Sequence, residues 1–132
     1  MYFYQAYAHY PWKLLLKSGT EGVATSNYGR NLMKEMMLVY DGNQHRYAQI
    51  AGHGFRILAE AMEKDLPYEI KSPSLLICGT KDHAGSCIRY NREWHRKTKI
   101  PLKWIEGAGH NSNIDKPEMI NSLIEKFLSN IL

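Results

Sequence analysis

Cysteine is nearly absent, with two residues in 132. That excludes the disulfide framework that holds small secreted proteins together. Cys78 sits inside an apolar run and Cys87 in a polar stretch, and both read as structural thiols, so the reducing cytoplasm is the expected compartment. Long hydrophobic runs are missing too. None approaches the roughly 18 residues that a spanning helix requires, and residues 1–10 show no signal-peptide pattern, so no membrane role is expected. Nor is there a strong excess of one charge. Seventeen Lys and Arg against 13 Asp and Glu leave a net charge of +4, too mild a balance to name a partner. The six histidines show no H-x-x-x-H or His/Cys spacing on a helix face, so neither a metal nor a cofactor is expected.

What the chain does contain changes character near Pro67. Residues 1–69 lack strand alternation and read as helices punctuated by glycine and proline. After an aromatic-rich start, Pro11 opens a short helix over 12–17, stopped by Gly19. Residues 28–40 place Leu32, Met33, Met36, Met37 and Tyr40 on one side of a second helix, ended by Asp41-Gly42. A third helical segment spans 43–65, with Gly52-His53-Gly54 as a weak point or break. The methionines and aromatics here read as core filler.

From 70 to 132 the pattern is strand, helix, strand, helix. Residues 73–79, Pro-Ser-Leu-Leu-Ile-Cys-Gly, form a continuously apolar run of the kind buried on both faces of a parallel sheet. Residues 88–97 read as a helix. Its basic residues Arg89, Arg92, Arg96 and Lys97 form a solvated face, with Ile88 and Trp94 or Tyr90 turned inward, so nucleic-acid binding is not expected. Residues 100–105 form the second strand. A last helix begins near Asp115, Pro117 and Glu118, with Asp115 as N-cap, and carries Ile120, Leu123, Ile124, Phe127, Leu128 and Ile131 at helical spacing. Such a unit implies a right-handed crossover between parallel strands, which sends both strand-end loops to one edge.

Those loops are residues 80–86, with Asp82, and residues 106–113, with Gly107-Ala108-Gly109-His110-Asn111. Strand ends are where open α/β sheets place ligand and catalytic groups. A carboxylate that accepts from one imidazole nitrogen fixes the tautomer, so that the other nitrogen can take a proton from a nucleophile and return it to a leaving group. Asp82 and His110 are therefore the candidate catalytic residues. Asp115, the rival acid, is better explained as a cap, and His83 as a plain loop residue.

The stretch P-S-L-L-I-C-G-T-K-D, followed by G-A-G-H, Pro117-Glu118 and a terminal helix with Phe127-Leu128, resembles the last two strands and helices of the α/β-hydrolase superfamily. The resemblance implies an α/β fold in which residues 1–69 are a helical cap-like region and 70–132 the C-terminal βαβα part of the core. It also implies that Asp82 is the triad acid and His110 the triad base, acting by a Ser-His-Asp mechanism on a small-molecule ester or acyl substrate, with cap residues such as Tyr2, Phe3 and Tyr7 lining the pocket.

One part of that pattern is missing. No serine or cysteine stands in the Gly-x-Ser-x-Gly elbow context, and no oxyanion-hole loop or earlier strand is recognisable, so the acid and base have nothing within these residues to activate. The chain is expected to be the C-terminal portion of a hydrolase and inactive alone. Its apolar 74–78 strand is expected to pair, either with a second copy in a homo-oligomer or with an N-terminal half. The alternative is a non-catalytic oligomerising or partner-binding domain that keeps a partial hydrolase frame.

Overall fold

The computed structural model describes residues 2–64 and 70–131, without the side chains of Tyr2 and Phe3. Those two expected pocket residues therefore lie outside the described side chains. Four helices come first: α1 (Tyr2–His9), α2 (Trp12–Glu21), α3 (Asn27–Leu38) and α4 (Gln44–Glu63). Pro11 precedes α2, and Ser26 caps α3 by accepting from the Gly29 N–H at 3.0 Å. Helix α1 packs on α4, and α2 on α3.

Two glycines expected to interrupt helices instead sit inside them. Helix α2 runs through Gly19, where a Cβ would meet the Met37 sulfur of α3. Helix α4 is unbroken across Gly52-His53-Gly54, and a Cβ at Gly52 would lie 3.2 Å from the backbone of Tyr4 in α1. Each gives up helix propensity, about 1 kcal/mol relative to alanine, and lets a neighbouring helix approach closely. Tyr47 joins the helices: its ring meets Tyr7 and Trp12 edge-on and Tyr40 at a steep tilt, with centroids 5.6–5.9 Å apart. Tyr7 also stacks on Phe55. Burial, then the neighbouring Tyr7, pushes the Tyr47 hydroxyl above its usual pKa.

The remainder is mixed α/β. Strand β1 (Leu76–Gly79) pairs in parallel with β2 (Leu102–Ile105), and α5 (Cys87–Thr98) makes the crossover. The one-turn α6 (Ser112–Asp115) and the long α7 (Pro117–Ser129) follow. Leu76 aligns with Leu102 and Gly79 with Ile105. Both strands are shorter than expected. Pro101 lacks the N–H that would extend the ladder, although its carbonyl still accepts from the Leu76 N–H at 2.9 Å.

Aligned residues share a face, and successive ones alternate. Ile77 and Ile105 turn to one side, where Ile105, Ala108 and Ile120 form a buried cluster with Leu123 against it. The other face meets α5, whose Arg92 guanidinium lies 5.3 Å from the centre of the Trp104 ring. Pro117 opens α7 as expected. Ile124 and Leu128 of its apolar stripe stay exposed, as does Ile131 just beyond its end. Among the described residues the sheet has only these two strands, so β1 keeps one unpaired edge. No helix among them is long and apolar enough to cross a membrane.

Candidate functional site

Parallel pairing in this register brings both strands to the same edge, and the two following loops are stitched together by backbone. The Thr80 N–H donates to Ile105 O at 3.0 Å, the Lys81 N–H to Ala108 O at 2.9 Å, and the Gly107 N–H to the Thr80 hydroxyl oxygen at 2.9 Å. Gly79 is what permits this approach, because a Cβ there would overlap the carbonyl oxygens of Ala108 and Gly109. Gly107 makes the turn out of β2 with φ of 74°, in the left-handed region that glycine adopts without strain.

Asp82 and His110 meet across this seam. His110 Nδ1 lies 3.0 Å from Asp82 Oδ2, and the other carboxylate oxygen accepts from the Ala84 N–H at 2.9 Å. The Asp82 side chain is 6% exposed and that of His110 46%. A buried, backbone-anchored carboxylate thus holds one ring nitrogen of a histidine that reaches solvent. The Nε2 atom has no hydrogen-bond partner among the described residues and is free to exchange a proton.

The structure corrects the reading of Asp115. It closes α6 and does not cap α7; Lys116 occupies the N-cap position there, with no side-chain cap bond. The Asp115 carboxylate is buried and accepts the N–H groups of Thr25 (3.0 Å), Ser26 (2.8 Å) and Gly109 (2.8 Å). The Thr25 hydroxyl lies 3.0 Å from the same carboxylate and 2.8 Å from Gly107 O. Burial works to raise the Asp115 pKa, but the N–H donors of Ser26, Gly109 and Thr25 together outweigh it and hold the carboxyl at about 2. The Asn111 N–H adds a bond to Val23 O at 2.9 Å. The loop between α2 and α3 therefore clamps the histidine loop.

A second finding concerns Cys87, which the sequence presents as structural only. It is the first residue of α5, and its Sγ lies 3.8 Å from His110 Nδ1. Burial, then the Asp82 carboxylate, pushes its pKa up. Nothing in its sequence neighbourhood marks it; the signal is the crossover geometry, which returns the start of α5 to the two loops. Cys78 Sγ lies behind, 4.0 Å from Asp82 Oδ2, with its pKa likewise raised, chiefly by burial. His83 is exposed and borders an open cleft of about 410 Å³ between the acid loop and α5, shared with Asp82, Ile88, Arg89 and Arg92. His110 does not line that cleft. Tyr7, expected in a pocket wall, is engaged with Tyr47 and Phe55 in the helical region.

Set against known protein families, curated proteins and solved structures, the chain has no match.

Proposed function

We propose that this chain is the C-terminal portion of an α/β-hydrolase, and that Asp82 and His110 are the acid and base of its Ser-His-Asp mechanism. The observation that carries the reading is the 3.0 Å contact between Asp82 Oδ2 and His110 Nδ1 at the ends of adjacent parallel strands. In this role Asp82 fixes the tautomer with the proton on Nδ1 and stabilises the imidazolium that forms. His110 Nε2 takes the proton of a nucleophilic hydroxyl and then delivers it to the leaving group of an ester or similar acyl substrate.

The nucleophile comes from outside these residues, since no Gly-x-Ser-x-Gly segment occurs in the sequence. The unpaired β1 edge, the exposed Ile124 and Leu128 of α7 and the exposed Ile131 just after it support a missing sheet neighbour. A two-stranded sheet is marginal by itself. Residues 1–69 then occupy the place of a cap, and the site needs no cofactor.

Two measurements test this. The chain alone is expected to hydrolyse p-nitrophenyl butyrate no faster than His110→Ala, and to run as an oligomer in light scattering because its β1 edge self-pairs. Joined to a polypeptide that carries the nucleophile elbow and the preceding strands, it is expected to gain turnover and fluorophosphonate labelling, both lost in His110→Ala and Asp82→Asn. Turnover or labelling indifferent to these substitutions would falsify the reading. It would also favour a non-catalytic, self-associating domain.

A further inference from the structure

His110 Nδ1 has two polar neighbours, and only one of them belongs to the dyad. Asp82 Oδ2 lies 3.0 Å from it and Cys87 Sγ 3.8 Å, and the three donor atoms all lie within 4.8 Å of one another. A tetrahedral zinc ion, with bonds of about 2.0–2.3 Å, spaces such ligand atoms roughly 3.4–3.6 Å apart. Two of the spacings thus lie within a few tenths of an ångström of those a metal would impose.

We propose that Cys87, His110 and Asp82 form a three-ligand site for a soft divalent cation such as zinc, with water in the fourth position. Thiolate and imidazole select a borderline-soft ion over magnesium or calcium. The Ala84 N–H on Asp82 Oδ1 supplies the outer-shell bond that orients the carboxylate, and the half-exposed His110 ring leaves a path for entry. Each ligand comes from a different segment: the loop after β1, the start of α5 and the loop after β2. The cation takes the Nδ1 lone pair and so removes the N–H that Asp82 accepts in the dyad. Cation binding and acid–base work at His110 are therefore mutually exclusive. That last consequence rests on the hydrolase reading, whereas the binding itself does not.

The test is titration of the full chain with Co²⁺, followed by thiolate-to-cobalt charge-transfer absorption. One ion per chain is expected, with the band lost in Cys87→Ser, displaced by Zn²⁺, and affinity weakened roughly 10- to 100-fold or more in Asp82→Asn and His110→Ala. No band, or a band unchanged in Cys87→Ser and so due to Cys78, overturns the site. A second measurement on the unsubstituted chain guards against a misfolded variant. Zn²⁺ is expected to slow iodoacetamide labelling of Cys87, read by peptide mass, and identical labelling with and without Zn²⁺ overturns the proposal. A reconstituted chain without ester turnover but with the cobalt band would sink the hydrolase reading and leave the metal site standing.

Discussion

Two aspartates follow the two strands, and the loops around them are built differently. Asp115 is saturated by backbone: three N–H groups and a hydroxyl converge on it from the α2–α3 loop and from Gly109. Asp82 takes a single backbone N–H, from Ala84, and offers its second oxygen to a side chain. A carboxylate taken up chiefly by main-chain donors of two loops is a fastener. One that keeps an oxygen for a half-exposed imidazole can orient that ring. The comparison teaches that burial alone does not separate a carboxylate that ties loops together from one that holds a side chain, since both carboxylates are buried; the identity of the donors does.

The largest effect is expected from Asp115→Ala, which strands several buried donors at once. A loss of about 3 kcal/mol or more should appear as a lower urea midpoint with an unchanged slope. A near-neutral result would break the contrast. Gly79→Ala comes next, because the two loops cannot separate without breaking the Lys81 N–H bond to Ala108 O. Overpacking against backbone is expected to cost roughly 1–3 kcal/mol, and it should reduce any activity that requires the Asp82–His110 contact.

Acid sharpens the same point. The Asp115 pKa falls from 3.8 to about 2 on folding. Its contribution, about 2 kcal/mol, is fully present above the unfolded value and disappears as pH drops through the folded one. Urea midpoints of the parent chain and Asp115→Asn should therefore differ at pH 5 and converge near pH 2; a gap that stays constant would remove Asp115 from the acid response. The smallest effect belongs to His110→Ala, at most ~1 kcal/mol because the ring is half exposed. A larger loss would make the histidine a structural element as well.

How much of this was legible beforehand depended on the range of the interaction. The apolar run ending at Gly79, the apolar positions of the last helix and Pro117 at its first turn are local patterns, and they gave parallel strands with a crossover helix. Placing Asp82 and His110 at one edge followed from strand direction alone. The helix glycines misled because propensity weighs a glycine by itself, while Gly19 and Gly52 are set by what packs on them, Met37 and Tyr4. Asp115 misled for the same reason. Its neighbours in sequence suggest a cap, and its partners Thr25 and Ser26 lie some ninety positions away.

Sequence by itself determined where most of the helices and both strands lie, that the strands run parallel, and which aspartate and histidine share a strand-end edge. These follow from short-range sterics and from the spacing of apolar positions along the chain. Only the tertiary structure decided that Asp115 fastens the histidine loop to the helical region, that Gly79 lets two backbones touch, and that the Cys87 thiol stands beside His110. Each of those depends on distances between segments remote in the chain, which are set by how the helices and the sheet pack and which no local pattern encodes.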